Sequence, residues 1–163
     1  LWSGIIGQDD AISLLESSLI DPVHAYLFIG PAGTGKRRTA RAFAAALLCR
    51  EGFCGVCRDC TLALHGEHPD VTEVEREGAA ISTAQADEII HIAALAPREG
   101  TRKVLLLDEF HLLSADAAAK LLKTIEEPTR GTFFLILADQ MTSDLVTIAS
   151  RCIGSLPIST GLR

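Results

Sequence analysis

The stretch "YLFIGPAGTGKRRTARAF", residues 26–43, governs the reading of the whole chain. Its apolar start predicts a short buried strand, and its alanine-rich end predicts a helix. Between them "GPAGTGK" fits the spacing G-x-x-x-x-G-K from Gly30 to Lys36. In such a loop Gly30, Ala32, Gly33, Thr34 and Gly35 wrap main-chain N–H groups around a nucleotide's phosphates at a helix N-terminus, Pro31 shapes the turn, and Lys36 reaches the β and γ phosphates. The next position, where these loops carry a hydroxyl for Mg²⁺, is Arg37. A guanidinium has no acceptor to offer an ion. Thr39 is a poor substitute, because two residues along a helix turn a side chain to another face.

Working outward, "VLLLDE" ends an apolar run in two acids, Asp108 and Glu109. Paired with the loop, Asp108 is expected to hold Mg²⁺ through water and Glu109 to orient an attacking water. "DVTEVE", "KVLLLDE" and "TFFLILAD" read as strands, and "DDAISLLESSL", "STAQADEIIHIAALA" and "SADAAAKLLKTIEEP" as helices. Ser82 and Gln85 fit a capping box, Ser114 fits an N-cap, and Pro97 and Pro128 fit stops. Strands alternating with helices imply an α/β fold with a parallel sheet covered on both faces.

The totals set the bounds. With 163 residues, one domain is the default. A chain 48% hydrophobic and 22% charged reads as soluble and globular, and neither "AFAAALLC" nor "FFLILA" is long enough to cross a membrane. The start "LWSGIIGQDD" reads as a trimmed cytoplasmic chain. A formal charge of -6 argues against gripping nucleic acid by bulk charge. His24, His65, His68, His91 and His111 share no metal spacing, and Trp2 reads as a packing residue.

"CREGFCGVCRDC" sets Cys49, Cys54, Cys57 and Cys60 as C-x4-C-x2-C-x2-C. Four thiolates this close in a reducing compartment suit a tetrahedral Zn²⁺ better than disulfides, with every position filled by protein and the metal therefore structural. An iron–sulfur cluster also uses two-residue spacings, and free thiols are the third reading. Cys152 stands apart and reads as a small buried residue.

"HAYLFIGPAGTGK", the four-cysteine insertion, "LAPREGTRKVLLLDEFHLL", "LLKTIEEP" and "TIASRC" together resemble the AAA+ clamp-loader subunits of bacterial DNA polymerase III, the gamma/tau and delta-prime family, over nearly the whole chain. The resemblance implies one AAA+ nucleotide-binding domain over residues 1–163 with a zinc insertion at about 49–66. It also implies ATP or ADP with Mg²⁺ in the loop, and a place in a hetero-pentamer that opens the sliding clamp and sets it on primed DNA. Arg151 would be an arginine finger reaching a neighbouring subunit's γ-phosphate.

Two departures, Arg37 and the Ala138–Asp139 pair where hydrolysing members carry a threonine, weaken hydrolysis. They point to a delta-prime-like subunit that braces the loader and lends Arg151 to its neighbour. The alternative is a gamma/tau-type ATP-hydrolysing motor, which the retained Asp108 and Glu109 keep open. The chain stops at "LPISTGLR", about where the family passes into its lid. Lid and collar domains are therefore expected to lie outside it, leaving the isolated fragment monomeric or weakly associating.

Overall fold

Alternate residues along the central strands enter opposite cores, and this explains why their sequences are apolar throughout. The computed structural model describes residues 2–5, 7–151 and 155–157; Cys152 lies outside them. Among the described residues, β1 (Ala25–Ile29), β2 (Val71–Val74), β3 (Lys103–Leu107), β4 (Thr132–Ala138) and β5 (Ser155–Pro157) form one sheet in the order β2-β3-β4-β1-β5. All its pairings are parallel, with Leu27 opposite Ile136 and Leu106 opposite Leu135. The helices are α1 (Asp9–Ser18), α2 (Lys36–Leu48), α3 (Arg58–His65), α4 (Thr83–Ala94), α5 (Ala115–Glu126) and α6 (Ser143–Ala149). None is long and apolar enough to cross a membrane.

Leu27, Leu105, Leu107, Phe134 and Ile136 pack on one face with Ile89 of α4, Leu121 and Ile125 of α5, and Ile148 of α6. Tyr26, Phe28, Leu106, Leu135 and Leu137 pack on the other with Leu15 of α1, Phe43 of α2 and Ala63 of α3. Each fully buried Leu, Ile or Phe contributes roughly 1.5–3 kcal/mol, so these two clusters hold the strand ends in place. The site depends on those ends.

The helix boundaries follow local chemistry. Ser82 Oγ accepts from Gln85 N at 3.2 Å, and Ser114 Oγ accepts from Ala117 N at 3.2 Å. The expected capping box is only half made, however. The Gln85 side chain turns away and donates to Glu75 O at 2.5 Å, pinning the segment that follows β2. Helix α4 stops at Ala94, where buried Lys103 donates to the carbonyls of Ile92 at 2.6 Å and Ala93 at 2.8 Å, and also to Leu95. A cation on orphan carbonyls is a favourable C-terminal cap, although burial pulls the Lys103 pKa down.

The elements α3, α6 and β5 had no counterpart in the sequence reading. Helix α3 lies inside the cysteine segment, with Cys57 at its N-cap and Cys60 and Ala63 buried against α2.

Candidate phosphate loop and metal centre

The loop hangs between the C-terminal end of β1 and the first turn of α2, where ligands sit in open α/β sheets. Gly30 N donates to Ala138 O at 3.2 Å, which ties the loop's start to the end of β4. Gly33 and Gly35 have φ of 80° and 83°, in the left-handed region, yet nothing lies within 4 Å of an added Cβ. Glycine is required there by backbone conformation rather than by space.

Helix α2 starts from Gly35 with no side-chain cap, and its first residues are Lys36, Arg37 and Arg38. Three cations oppose the positive end of a helix dipole, so anions must come from elsewhere. Three acids supply them. Lys36, only 7% exposed, donates from Nζ to Gly30 O at 2.6 Å and Pro31 O at 2.9 Å, and pairs with Asp139 Oδ1 at 2.8 Å. Arg37 donates to Asp108 Oδ2 from Nε at 3.1 Å and from Nη2 at 2.5 Å, while its Nη1 pairs with Glu75 Oε1 at 2.6 Å.

The second acid of "VLLLDE" is also engaged. Glu109, at φ 52°, faces Arg76 Nη2 at 3.3 Å, and its backbone N donates to Asp108 Oδ1 at 2.8 Å. The cleft over these groups is about 430 Å³ and is lined by Gly33, Gly35, Lys36, Arg37, Asp108 and Asp139. Thr34 and Thr39 spend their hydroxyls locally, on Pro31 O at 2.9 Å and Gly35 O at 3.1 Å.

The four cysteines converge at the far end of α2, with their sulfurs all within 4.8 Å of one another. Cys49 Sγ lies 3.8 Å from Cys54 Sγ and 3.9 Å from Cys57 Sγ. A tetrahedral ion with Zn–S bonds of ~2.3 Å requires sulfur–sulfur edges of ~3.8 Å, so this donor set fits a single ion. The main chain favours one thiolate, that of Cys54. Backbone N–H groups of Val56 and Cys57 draw the Cys54 pKa down to about 7, whereas burial pushes the Cys60 thiol up.

The sequence matches the family described as "DNA polymerase III, delta subunit" over residues 7–156. The chain belongs to that family. A delta-prime subunit of DNA polymerase III from Pseudomonas aeruginosa is 40% identical over 136 residues, which are 80% of this chain and 42% of that protein. The DNA polymerase III tau subunit of Bacillus subtilis is 36% identical over 160 residues, 93% of this chain and 28% of that one. The chain thus spans less than half the length of these relatives. Two solved structures from Thermotoga maritima share the fold. A protein related to the DNA polymerase III gamma subunit superposes with TM-score 0.63 at 17% identity, covering 94% of this chain and 47% of that one. A RuvB variant gives 0.52 at 20% identity, covering 93% and 43%. The fold is therefore of the AAA+ type, an α/β parallel sheet flanked by helices.

In this delta-family chain the residues singled out from sequence fall into three places. Ala32, Gly33, Gly35, Lys36, Arg37, Asp108 and Glu109 line the cleft, and Gly30, Pro31 and Thr34 complete the loop beside it. The cysteines gather at the other end of α2, and Arg151 follows α6, its Nε 3.2 Å from Glu126 Oε1. Sequence reasoning missed Glu75, Arg76 and His111. His111 Nδ1 accepts from Asp139 N at 3.1 Å and so fixes the acid that meets Lys36. The histidine beside "VLLLDEF" was its only signal. Trp2 packs against the α1–α2 side of the core, as expected.

Proposed function

We propose that this chain is the AAA+ nucleotide-fold domain of a delta-prime-like clamp-loader subunit, a cytoplasmic component of the DNA polymerase III holoenzyme. It braces a hetero-pentamer that uses ATP to place the sliding clamp on primed DNA. It lends Arg151 to the ATP site of a neighbouring subunit rather than running its own. One observation carries this reading: the guanidinium of Arg37 is seated on Asp108, so the carboxylate that a motor subunit needs for its metal is already neutralised. The pairing of Lys36 with Asp139 supports it from the other side of the cleft.

Cys49, Cys54, Cys57 and Cys60 hold a structural Zn²⁺ in this reading. The short sulfur–sulfur edges favour one ion over an iron–sulfur cluster, whose several irons spread their thiolates further apart. When bound, the metal supplies a fixed cross-link and no chemistry, since no ligand position is left open.

A gamma/tau-type motor would give the opposite result in a simple assay. The purified chain, supplied with ATP and Mg²⁺, should release phosphate no faster than its Lys36→Ala variant. Turnover that disappears on Lys36→Ala would replace the bracing role with a motor role.

A further inference from the structure

Magnesium, which the family implies, does not fit this loop. The ion demands six oxygen ligands at ~2.0–2.1 Å and sheds water reluctantly. Here the side chain after the lysine brings donors only. Asp108 has both oxygens occupied, Oδ2 by Arg37 and Oδ1 by the Glu109 amide at 2.8 Å. The hydroxyls of Thr34 and Thr39 lie on loop carbonyls, those of Pro31 and Gly35.

Arg37 instead resembles a cation built into the chain. A guanidinium has five N–H groups. Its three nitrogens each give one to a carboxylate, at Asp108 and Glu75, which leaves two N–H groups for other acceptors. The acids hold the group rigidly over the first turn of α2, so little side-chain freedom remains to be lost when an anion arrives.

Asp139 sets the length of that anion. Its position just past β4, level with the end of β1, puts a carboxylate 2.8 Å from the lysine that a terminal phosphate would otherwise claim. The backbone bond to His111 keeps it there. A diphosphate meets Lys36 with its β phosphate alone, whereas a third phosphate brings further negative charge against the Asp139 carboxylate.

We propose that the loop binds a nucleoside diphosphate without a divalent cation, with Arg37, clamped between Asp108 and Glu75, in the ion's place and Asp139 discriminating against a third phosphate. This rests on reading Gly30 to Lys36 as a phosphate loop, and not on the role of Arg151. Calorimetric titration of the chain with ADP and with ATP, each in excess Mg²⁺ and in EDTA, tests it. ADP should bind equally with and without Mg²⁺, and ATP about tenfold more weakly, as one repulsive contact with a fixed carboxylate implies.

In EDTA, Arg37→Thr should weaken ADP by about tenfold to a hundredfold, the usual range for removing charge-assisted hydrogen bonds, and Mg²⁺ should now strengthen binding. Asp139→Asn should close the gap between ATP and ADP. Circular dichroism verifies that each variant is folded, and Arg37→Lys, which keeps the charge but not the fork, should fall between Arg and Thr in ADP affinity. Binding by the natural chain that requires Mg²⁺, or no binding of either nucleotide, overturns the proposal. Either outcome leaves the finger role of Arg151 to be judged by the loader's ATPase.

Discussion

Substituting Arg151 by alanine is expected to reduce ATP hydrolysis by the assembled loader about a thousandfold, while leaving the stability of the chain itself within roughly 0.5 kcal/mol. The contrast between the two numbers makes the test specific. Among the described residues Arg151 makes exposed side-chain contacts, donating from Nη1 to Thr147 O at 3.0 Å and lying 3.2 Å from Glu126 Oε1. Surface ion pairs of this kind contribute little to folding. A guanidinium aimed at a γ-phosphate in a dry interface, by contrast, offsets charge that develops only in the transition state. Arg151→Lys should recover part of the rate, because a point charge remains but the planar fork does not. Steady-state ATPase with clamp and primed DNA, beside a thermal melt of the isolated chain, reads both quantities. Full ATPase in the Arg151→Ala loader would remove the finger assignment.

The second large effect is expected from the cysteine centre. Stripping the metal with a chelator, or substituting Cys57→Ser, should lower the melting temperature by about 10 °C, since even a fraction of the ~10–16 kcal/mol by which structural Zn²⁺ sites bind would do so in a chain this size. The geometry explains why damage would spread beyond the knuckle. Cys57 caps α3, its sulfur accepting from Cys60 N at 3.5 Å, and Cys60 is buried in the cluster that joins α3 to Phe43 of α2. Helix α2 is also the helix that carries Lys36 and Arg37. Elemental analysis should find one zinc per chain, and a melt in chelator should show the loss. Iron with visible absorbance, or a melt indifferent to chelation, would contradict a structural zinc.

Much of this architecture is legible in the sequence, for identifiable reasons. Strands β3 and β4 are buried on both faces, so "KVLLL" and "TFFLILA" are apolar without alternation and stand out. The loop announces itself because Gly33 and Gly35 occupy φ values other residues resist. What escaped was short or made by distant partners. Helix α6 has seven residues, too few to establish a period, and β5 is a three-residue edge strand ending in Pro157, which cannot donate to a ladder. Gln85 carried the capping-box signal, but a buried place for its amide, reaching Glu75 O, displaced the local bond. The partners of Lys36 and Arg37 lie at the ends of other strands, at Asp139 and Asp108, and only the sheet's register brings them together.

The claim that Arg37 has taken the place of the metal can be read directly from a crystal of this chain grown with ADP and Mn²⁺, using the manganese anomalous signal. The expected result is diphosphate along the Gly30–Lys36 loop, no manganese beside Asp108, and the guanidinium still on that carboxylate. An octahedral manganese bound to Asp108 and the phosphates, with Arg37 swung away, would contradict it.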